Sequence, residues 1–229
     1  MHLRELVSFR QIAYRILSMV LLYPDEERLN RLASVARELG NRKESLTGFA
    51  FFSQWNRILD SLQGLKNRKA EDLQGEYIRT FMVNPEGAPA LPYESVYMNP
   101  EGWARGWITA QLEGEYAAAG LSLSPSLKEL PDHAAVELEF MAFLCGEEAQ
   151  AWEKKDLTKG IQVLERQLDF LGHHLSGWFP EFARRVCIAD SGGIYPPLVE
   201  MAEAFITHDR DLLPILLERF QMARKWGKT

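Results

Sequence analysis

Residues 133–152, HAAVELEFMAFLCGEEAQAW, decide the fold class of this chain. Apolar side chains recur along the stretch at spacings of three and four residues, which is the period of an α-helix. Asp132 stands immediately before the stretch and is a good N-cap residue, so the sequence predicts a long helix that begins near Asp132. No alternation of apolar and polar residues with the two-residue period of a strand competes with the helical period. We therefore predict an all-α fold.

The helical period continues on both sides of this stretch. Apolar residues from Leu6 to Val20 lie on one stripe and predict an amphipathic first helix, which ends at Pro24. Asp25 begins a second helix that has acidic residues in its first turn and Gly40 at its C-terminal end, as the helix dipole and the left-handed cap prefer. Further helices are predicted over residues 46–62, 70–82, 103–120, 157–178 and 180–189, and residues 198–226 predict one or two more.

Neither a repeat of fixed period nor a low-complexity linker divides the chain. The sequence therefore predicts a single all-helical domain over residues 1–229, a bundle of about ten helices. A second arrangement, two lobes joined by a hinge near residues 115–130, stays open. A two-lobed helical chain is a candidate for domain swapping, so a monomer and a domain-swapped dimer are both predicted as alternatives.

The composition excludes several classes of protein. Hydrophobic residues make up 46% of the 229 residues, which is enough for a large core. Twenty-six basic against 32 acidic side chains give a net charge of -6, which argues against nucleic-acid binding through phosphate neutralisation. Cys145 and Cys187 form neither a CxxC pair nor a disulfide-dense framework, so we expect a reducing compartment.

The apolar stretch YRILSMVLLY, residues 14–23, is the part of the chain most similar to a signal sequence or a membrane span. Arg15 interrupts it, no small-residue cleavage site follows, and the charged sequence PDEERL comes directly after it. Neither a secretory signal nor a spanning helix fits this pattern. The sequence therefore predicts a soluble cytoplasmic protein without membrane insertion.

Motifs of the common enzyme classes are absent from the sequence. There is no GxGxxG, no P-loop and no GxSxG, so neither a nucleotide-binding loop nor a nucleophile elbow is predicted. A metal site is the stronger alternative, because His133 and Glu137 stand four residues apart, as do Asp169 and His173. A metal-dependent helical enzyme with these four ligands stays open, although the Glu-x-x-His pairs of carboxylate-bridged di-metal bundles are missing.

The histidines also have a purely structural interpretation. With Asp132 as the N-cap, His133 lies in the first turn of its helix and can bond Glu137 one turn further on. His173 and His174 project roughly 100 degrees apart on a helix, so we expect one of them to pack and the other to be solvated.

The connection GAPALPYESVY, residues 87–97, is unusual for a helical protein because it combines prolines with aromatic residues. Proline limits the unfolded states of the segment, so the segment can stay ordered at low cost. Tyr93 and Tyr97 stand close in sequence to Trp103 and Trp107, whose four-residue spacing favours a place in the core. A rigid aromatic surface suits a peptide groove, and a loop that packs across the bundle fits the sequence equally well.

Three segments together resemble the signatures of one family. They are EYIRTFMVNPEGAPALPYESVY at residues 76–97, LPDHAAVELEFMAFL at residues 130–144 and FLGHHLSGWFPEFARRV at residues 170–186. In order and spacing they are similar to the TorD, DmsD and NarJ group of cytoplasmic chaperones, which assemble molybdopterin enzymes of the dimethyl sulfoxide reductase type. The resemblance covers residues 70–190, and the helical N-terminal part is compatible with it.

The resemblance implies a TorD-like all-helical fold, no catalysis, and no metal or cofactor of the protein's own. It implies binding of the N-terminal signal peptide of a molybdoenzyme catalytic subunit, often a twin-arginine leader. The chaperone then holds that subunit back from export until the cofactor is inserted. A client without a twin-arginine leader, as in the nitrate-reductase branch of the family, stays open, and the sequence does not identify the client.

In this family the proline-aromatic loop and the Asp-His pair at a helix start are associated with peptide recognition. Thr80 stands where a leucine is usual, and Tyr93 stands where some members have tryptophan. Carried over to this chain, the peptide-binding residues are Pro92, Tyr93, Ser95, Tyr97, Asp132, His133 and Glu137.

The residue types agree with such a leader as the ligand. Two guanidinium groups need charged acceptors, and an apolar leader segment needs a rigid apolar surface beside them. The candidate acceptors are Asp132, Glu94 and Glu137, and the candidate apolar contacts are Tyr93, Tyr97 and Phe140.

Overall fold

The computed structural model describes residues 3–40, 62, 68–84, 87–98 and 105–226 of the chain. These residues form nine α-helices and no strand, which confirms the predicted all-α fold class. The helices are α1 (Leu3–Val20), α2 (Glu26–Gly40), α3 (Ala70–Tyr77, continued by a π-helical turn Ile78–Met82), α4 (Glu94–Met98), α5 (Arg105–Ala118), α6 (Ala134–Glu153), α7 (Leu157–His173), α8 (Leu175–Ala189) and α9 (Tyr195–Trp226). The helix predicted over residues 46–62 lies outside the described residues, apart from Leu62.

Helix α6 lies at the centre of the bundle. It packs against α1 and α7, while α9 packs against α7 and α8. Most of α6 is apolar and buried from Ala134 to Ala151, as expected of a helix that other helices surround. Trp178, Phe179 and Phe182 of α8 are fully buried and belong to the same core. The stretch at residues 133–152, from which the all-α fold is predicted, therefore also forms the central helix of the core.

The first two helices lie close to their predicted positions. Helix α1 buries the apolar stripe from Leu6 to Val20. Asp25 precedes α2, and its Oδ1 accepts a hydrogen bond of 2.7 Å from the Arg28 N–H, which caps the helix. Among the described residues, no helix combines the length and the hydrophobicity that a membrane crossing requires.

The start of α6 differs from the prediction by one residue. The helix begins at Ala134, and its N-cap is His133, whose Nδ1 accepts a hydrogen bond of 3.0 Å from the Ala135 N–H. Asp132 is therefore not the N-cap of α6, and His133 does not lie in the first turn to bond Glu137. The reason is tertiary, because another segment of the chain uses the Asp132 carboxylate.

The helix predicted over residues 157–178 ends early. Helix α7 stops at His173, His174 adopts φ −114° and ψ −98°, and α8 starts at Leu175. Pro180, which was expected to open a new helix, lies inside α8 instead. The prediction of one packed and one solvated histidine is confirmed, since His174 is 2% exposed and His173 is exposed.

Helix α9 is one continuous helix of 32 residues. Pro196 and Pro197 lie in its first turn, where the missing N–H groups would have no helical partner, and Pro214 lies further inside it. The turn-rich sequence GGIYPP, residues 192–197, therefore marks a break before α9 and the start of that helix.

A buried ion-pair network ties α1 to three other helices. Arg10 of α1 is 1% exposed and binds Asp209 of α9 at 2.6 Å and Glu148 of α6 at 2.7 Å. Arg10 also donates to Gln167 of α7, and the Tyr14 hydroxyl donates to Asp209 at 2.8 Å. Burial alone would lower the pKa of Arg10, but Asp209 and the other nearby groups raise that pKa well above its ordinary value. The network fixes the relative positions of these helices, because separating its members leaves a buried charge without a partner.

Candidate functional site

The proline-aromatic loop folds back onto the start of α6. The Ala134 N–H donates a hydrogen bond of 2.8 Å to the Pro92 carbonyl. Next to this bond, Tyr93 and His133 pair as an isolated antiparallel bridge. The two parts of the predicted site are well separated in sequence, and backbone pairing joins them in space.

Asp132 holds the start of the short helix α4. The Glu94 N–H donates to the Asp132 carbonyl at 2.9 Å, and the Ser95 N–H donates to Asp132 Oδ2 at 3.1 Å. Since α4 has only five residues, these two bonds satisfy a large share of its free N–H groups. The side chain that the sequence suggested as the N-cap of α6 therefore caps α4.

Tyr93 and Tyr97 are half-buried, and each ring is held at both ends. The Tyr93 ring meets the His133 ring edge-on at 5.1 Å, and the Tyr93 hydroxyl donates to Glu129 at 2.8 Å. The Tyr97 ring stacks on Trp178 at 5.5 Å, and its hydroxyl donates to a backbone carbonyl of the same loop at 2.8 Å. Both rings therefore have a fixed orientation.

Three carboxyl groups lie buried near these rings. Glu94 is 2% exposed, and Asp132 and Glu137 are 0% exposed. The Trp178 indole N–H donates to Glu137 Oε2 at 3.2 Å. Burial first, and then the nearby charge of Glu94, raise the pKa of Glu137 well above its ordinary value. The surroundings of Glu137 therefore favour its neutral form.

His174, at the break between α7 and α8, contacts the same acidic group. Its Nδ1 lies 2.8 Å from Glu94 Oε2, and its Nε2 lies 3.2 Å from Glu115 Oε1 of α5. Burial alone would lower the pKa of His174, but the hydrogen bonds to Glu115 and Glu94 outweigh it and raise the pKa to about 9. His174 is not among the predicted site residues, although it belongs to the His173–His174 pair and to the family segment at residues 170–186.

His133 is a neutral histidine. It is 0% exposed, and burial lowers its pKa to about 3. Because Nδ1 accepts the Ala135 N–H, the proton lies on Nε2, which is 3.8 Å from Glu129 Oε2. This Nε2, Ser95 Oγ and Asp132 Oδ1 have no hydrogen-bond partner within the part of the chain that the structure describes. Buried polar atoms without partners are uncommon in proteins, and these three lie in one cluster.

All seven predicted site residues lie in this cluster, but their exposure differs. Tyr93 and Tyr97 are half-buried. The buried members are Pro92, Ser95, Asp132, His133 and Glu137. Only the two tyrosines are therefore accessible from the surface, and the other five residues are enclosed by the protein.

The structure gives no support to the metal alternative. Asp169 and His173 are exposed on α7, and His173 Nδ1 lies 2.8 Å from the Asp169 backbone carbonyl. Over the described residues, no group of three or more His, Cys, Asp or Glu residues is placed to hold a metal ion. His133 and Glu137 are therefore not brought together with the α7 pair.

The two tryptophans predicted for the core have different outcomes. Trp107 is 67% exposed on α5, so the prediction for it is wrong. The buried stripe of α5 is shifted by one residue and consists of Ile108, Leu112 and Tyr116. Trp103 lies outside the described residues.

A cavity of about 620 Å³ opens between α1, α2, α6 and the segment that follows α5. Phe140, a predicted apolar contact, lines the cavity and packs against Tyr116 at 4.9 Å. Leu127, two residues before Glu129, lines it on another side. The main apolar lining residues are Met19, Leu22, Leu127, Val136, Phe140 and Phe143.

Known proteins are similar to this chain in both sequence and fold. The family model described as the nitrate reductase delta subunit matches residues 49–184. The chaperone protein TorD of Vibrio cholerae serotype O1 is 31% identical over 179 residues, which cover 76% of this chain and 79% of that protein. The selenate reductase assembly chaperone protein of Thauera selenatis is 35% identical over 154 residues, which cover 66% and 77% of the two chains.

A solved structure extends the similarity over nearly the whole chain. The crystal structure of a putative redox enzyme maturation protein from Archaeoglobus fulgidus has a TM-score of 0.50 and 25% identity, and covers 93% of this chain and 95% of that one. The fold and the matched segments thus define an assembly chaperone of redox enzymes. The chain belongs to the TorD, DmsD and NarJ family of molybdoenzyme assembly chaperones, which confirms the resemblance carried by the three segments.

Proposed function

We propose that this protein is a cytoplasmic chaperone that binds the N-terminal signal peptide of the catalytic subunit of a molybdopterin oxidoreductase. The chaperone holds that subunit for cofactor insertion before export and has no catalytic activity of its own. Family membership supports the role, since relatives are named chaperone protein TorD and selenate reductase assembly chaperone protein. The client is proposed to be an enzyme of the dimethyl sulfoxide reductase type with a twin-arginine leader.

The observation that carries this proposal is the joining of the proline-aromatic loop to the start of α6. The bridge between Tyr93 and His133 brings an aromatic surface next to a buried acidic cluster that contains Glu94 and Asp132. A twin-arginine leader offers two guanidinium groups followed by an apolar segment. This ligand is complementary to an apolar surface beside acidic groups.

Tyr93 and Tyr97 are the proposed contacts for apolar side chains of the leader. Both rings are already fixed, Tyr93 by its bond to Glu129 and Tyr97 by its stack on Trp178. A surface that is ordered before binding loses less entropy when the peptide arrives. This preorganisation is the proposed reason for prolines and tyrosines in a connection between helices.

The acidic cluster is the proposed source of attraction for the leader arginines. Glu94 and Asp132 are buried acidic groups of the cluster, and His174 is the cation that bonds Glu94. Two further cations lie at its edge: Arg166 donates to the Glu115 carbonyl, and Arg185 lies over the Tyr97 ring at 4.8 Å. Solvent screens buried charges less than exposed ones, so the cluster acts beyond its own surface. The chain as a whole carries a net charge of -6, which speeds encounter with a basic leader at low salt.

The expected affinity is moderate. Three or four large leader side chains each contribute ~1.5–3 kcal/mol when they are buried. Ordering a flexible leader costs ~2–5 kcal/mol, in addition to the lost freedom of the peptide as a whole. We expect a dissociation constant near the micromolar range, which corresponds to a binding free energy of about 8 kcal/mol.

Titration of the client leader against Tyr93→Ala tests the proposed surface. We expect at least a tenfold loss of affinity, because the removed ring carries a contact of ~1.5–3 kcal/mol. Tyr93→Phe is the matched variant, since it keeps the ring and loses only the hydrogen bond to Glu129, and its affinity should fall less. Unchanged affinity in a Tyr93→Ala protein with wild-type circular dichroism contradicts the assignment of this surface.

A further inference from the structure

The break between α7 and α8 has no explanation in the local sequence. His174 is neither a glycine nor a proline, yet it adopts φ −114° and ψ −98° and separates the two helices. This conformation places its side chain in the interior, where the residue is 2% exposed. We attribute the break to the contacts that the side chain makes there.

Groups from three helices surround the His174 imidazole. Glu94 of α4 lies 2.8 Å from Nδ1, and Glu115 of α5 lies 3.2 Å from Nε2. Gln111 of α5 places its Nε2 3.4 Å from the same ring nitrogen, and the Phe170 ring of α7 lies 4.9 Å away. The imidazole therefore bridges α4 and α5 from the junction of α7 and α8.

Glu94 depends on His174 for a positive partner. The carboxyl group is buried, and it lies near Glu137. Among the described residues, no lysine or arginine forms an ion pair with Glu94, and His174 is its cation. A buried carboxylate without a cation is strongly destabilised. Without the imidazolium, Glu94 must take up a proton or move towards solvent, and α4 moves with it.

We propose that His174 positions the peptide surface: by bridging Glu94 and Glu115 it fixes α4 against α5 and thereby fixes the loop that carries Tyr93 and Tyr97. It is a positioning residue, because its buried side chain acts on a ligand only through α4. The identity of the ligand rests on the proposed function. The effect of His174 on the loop does not.

Hydrogen–deuterium exchange of His174→Gln tests the effect on the loop without any ligand. Glutamine carries no charge, so Glu94 loses its buried cation. We expect the amides of residues 93–98 to exchange at least tenfold faster than in the wild type, and those of α9 to stay unchanged. His173→Gln is the matched control, with the same substitution one residue earlier at an exposed position, and should exchange like the wild type. Equal protection of residues 93–98 in His174→Gln and the wild type overturns the proposal.

A double variant separates positioning from a general loss of stability. Glu94→Gln combined with His174→Gln removes both charges and leaves two amides that can hydrogen-bond each other. We expect residues 93–98 to exchange at least threefold more slowly in the double variant than in His174→Gln alone. If residues 93–98 exchange in the double variant as fast as in His174→Gln, or faster, loss of the ion pair is not the cause of the faster exchange, and the proposal is overturned.

Titration of the client leader across pH tests the effect on binding. The titratable groups that contact His174 are Glu94 and Glu115. Behind them, Glu137 interacts with Glu94 and Asp132, and Arg166 donates to the Glu115 carbonyl. We expect wild-type affinity to be constant at neutral pH and to fall as the pH passes about 9, where His174 loses its proton. His174→Gln should bind at least tenfold more weakly at neutral pH without this fall, and His173→Gln should keep the wild-type profile. The same profile in His174→Gln and the wild type overturns the proposal.

Hydrogen exchange and leader titration test the role of His174 and the proposed function separately. If the wild type does not bind the leader, the proposed function fails, and hydrogen exchange still decides whether His174 holds the loop. If the wild type binds and His174→Gln binds equally well, the proposed function stands and the role of His174 is overturned.

Discussion

Glu137 illustrates at the scale of one residue how burial changes a charged side chain. It is 0% exposed, it accepts the Trp178 indole N–H, and it lies within hydrogen-bond reach of Glu94. A protonated Glu137 can share its proton with Glu94, so the pair carries one negative charge rather than two. One imidazolium, that of His174, is then enough to balance it.

Replacement of Glu137 by glutamine tests this protonation state. Glutamine has the shape of the neutral acid and keeps an acceptor for Trp178, so we expect the free energy of unfolding to change by less than about 1 kcal/mol at a pH below 4.5, where Glu137 is protonated in the folded and the unfolded state. Glu137→Ala removes the acceptor and leaves the indole N–H unpaired, which should cost ~1–3 kcal/mol. Urea denaturation measures both variants. Equal losses in the two contradict a neutral Glu137.

The pH dependence of the same variant gives a second measurement. The pKa of Glu137 is raised on folding above its ordinary value of 4.5, so its contribution to stability is fully present below that value. The contribution is lost as the pH rises towards the folded-state pKa. Glutamine does not titrate, so Glu137→Gln should gain stability relative to the wild type as the pH rises above 4.5. A constant difference contradicts the raised pKa.

The sequence identified most residues of the cluster but could not identify His174. The family segments contain Tyr93, Asp132 and His133, and the structure brings these residues together. The partner of His174, Glu94, stands 80 residues earlier in the chain. Helical spacing around His174 reports only local structure, so it gives no sign of a contact with a residue far away in the sequence.

Helix α4 is another feature that depends on contacts between distant parts of the chain and that the local sequence does not predict. Five residues are too few for a helix to be stable alone, and α4 exists because Asp132 caps it and Tyr97 stacks on Trp178. The sequence predicted an ordered, stiff connection there but no helix. Asp132 is a suitable cap for either helix, and only the return of the loop onto α6 decides which one it caps.

Two aspartate caps provide a matched pair of variants. Asp132 Oδ2 caps α4, and Asp156 Oδ1 caps α7 by accepting the Lys159 N–H at 2.9 Å. Asp132→Ala and Asp156→Ala should each lower the free energy of unfolding by ~0.5–2 kcal/mol, the usual value of an N-cap. Only Asp132→Ala should also weaken leader binding, by about tenfold, because only α4 belongs to the peptide surface. Equal leader affinity in the two variants contradicts the role of α4.

Long helices with one apolar face could be predicted from the sequence. The residues at which they end could not always be predicted. Helices α1 and α2 follow the apolar period closely, whereas α6 is apolar on most of its circumference. The junction of α7 and α8 was predicted at Pro180 because proline commonly opens a helix. The junction lies at His174 instead, because contacts with Glu94 and Glu115 override the local pattern.

At the scale of the whole molecule, the structure supports a rigid site on a rigid scaffold. The proline-aromatic loop is bonded to α6, and α6 is connected through Glu148 to Arg10 and from there to Asp209. When any member of such a buried network moves away, the folded state is destabilised, because a buried charge is left without its partner. The single domain over residues 1–229, the hinge near residues 115–130 and the choice between a monomer and a domain-swapped dimer stay predictions.

Recognition of a twin-arginine leader is tested with the client's own N-terminal peptide. The protein is used to recover its client from the native cytoplasm, and the client's N-terminal peptide is then titrated with both arginines intact or with both replaced by alanine. We predict recovery of a molybdopterin catalytic subunit whose peptide binds near the micromolar range and loses at least tenfold in affinity without the arginines. A client peptide that binds equally well without its arginines contradicts recognition of a twin-arginine leader.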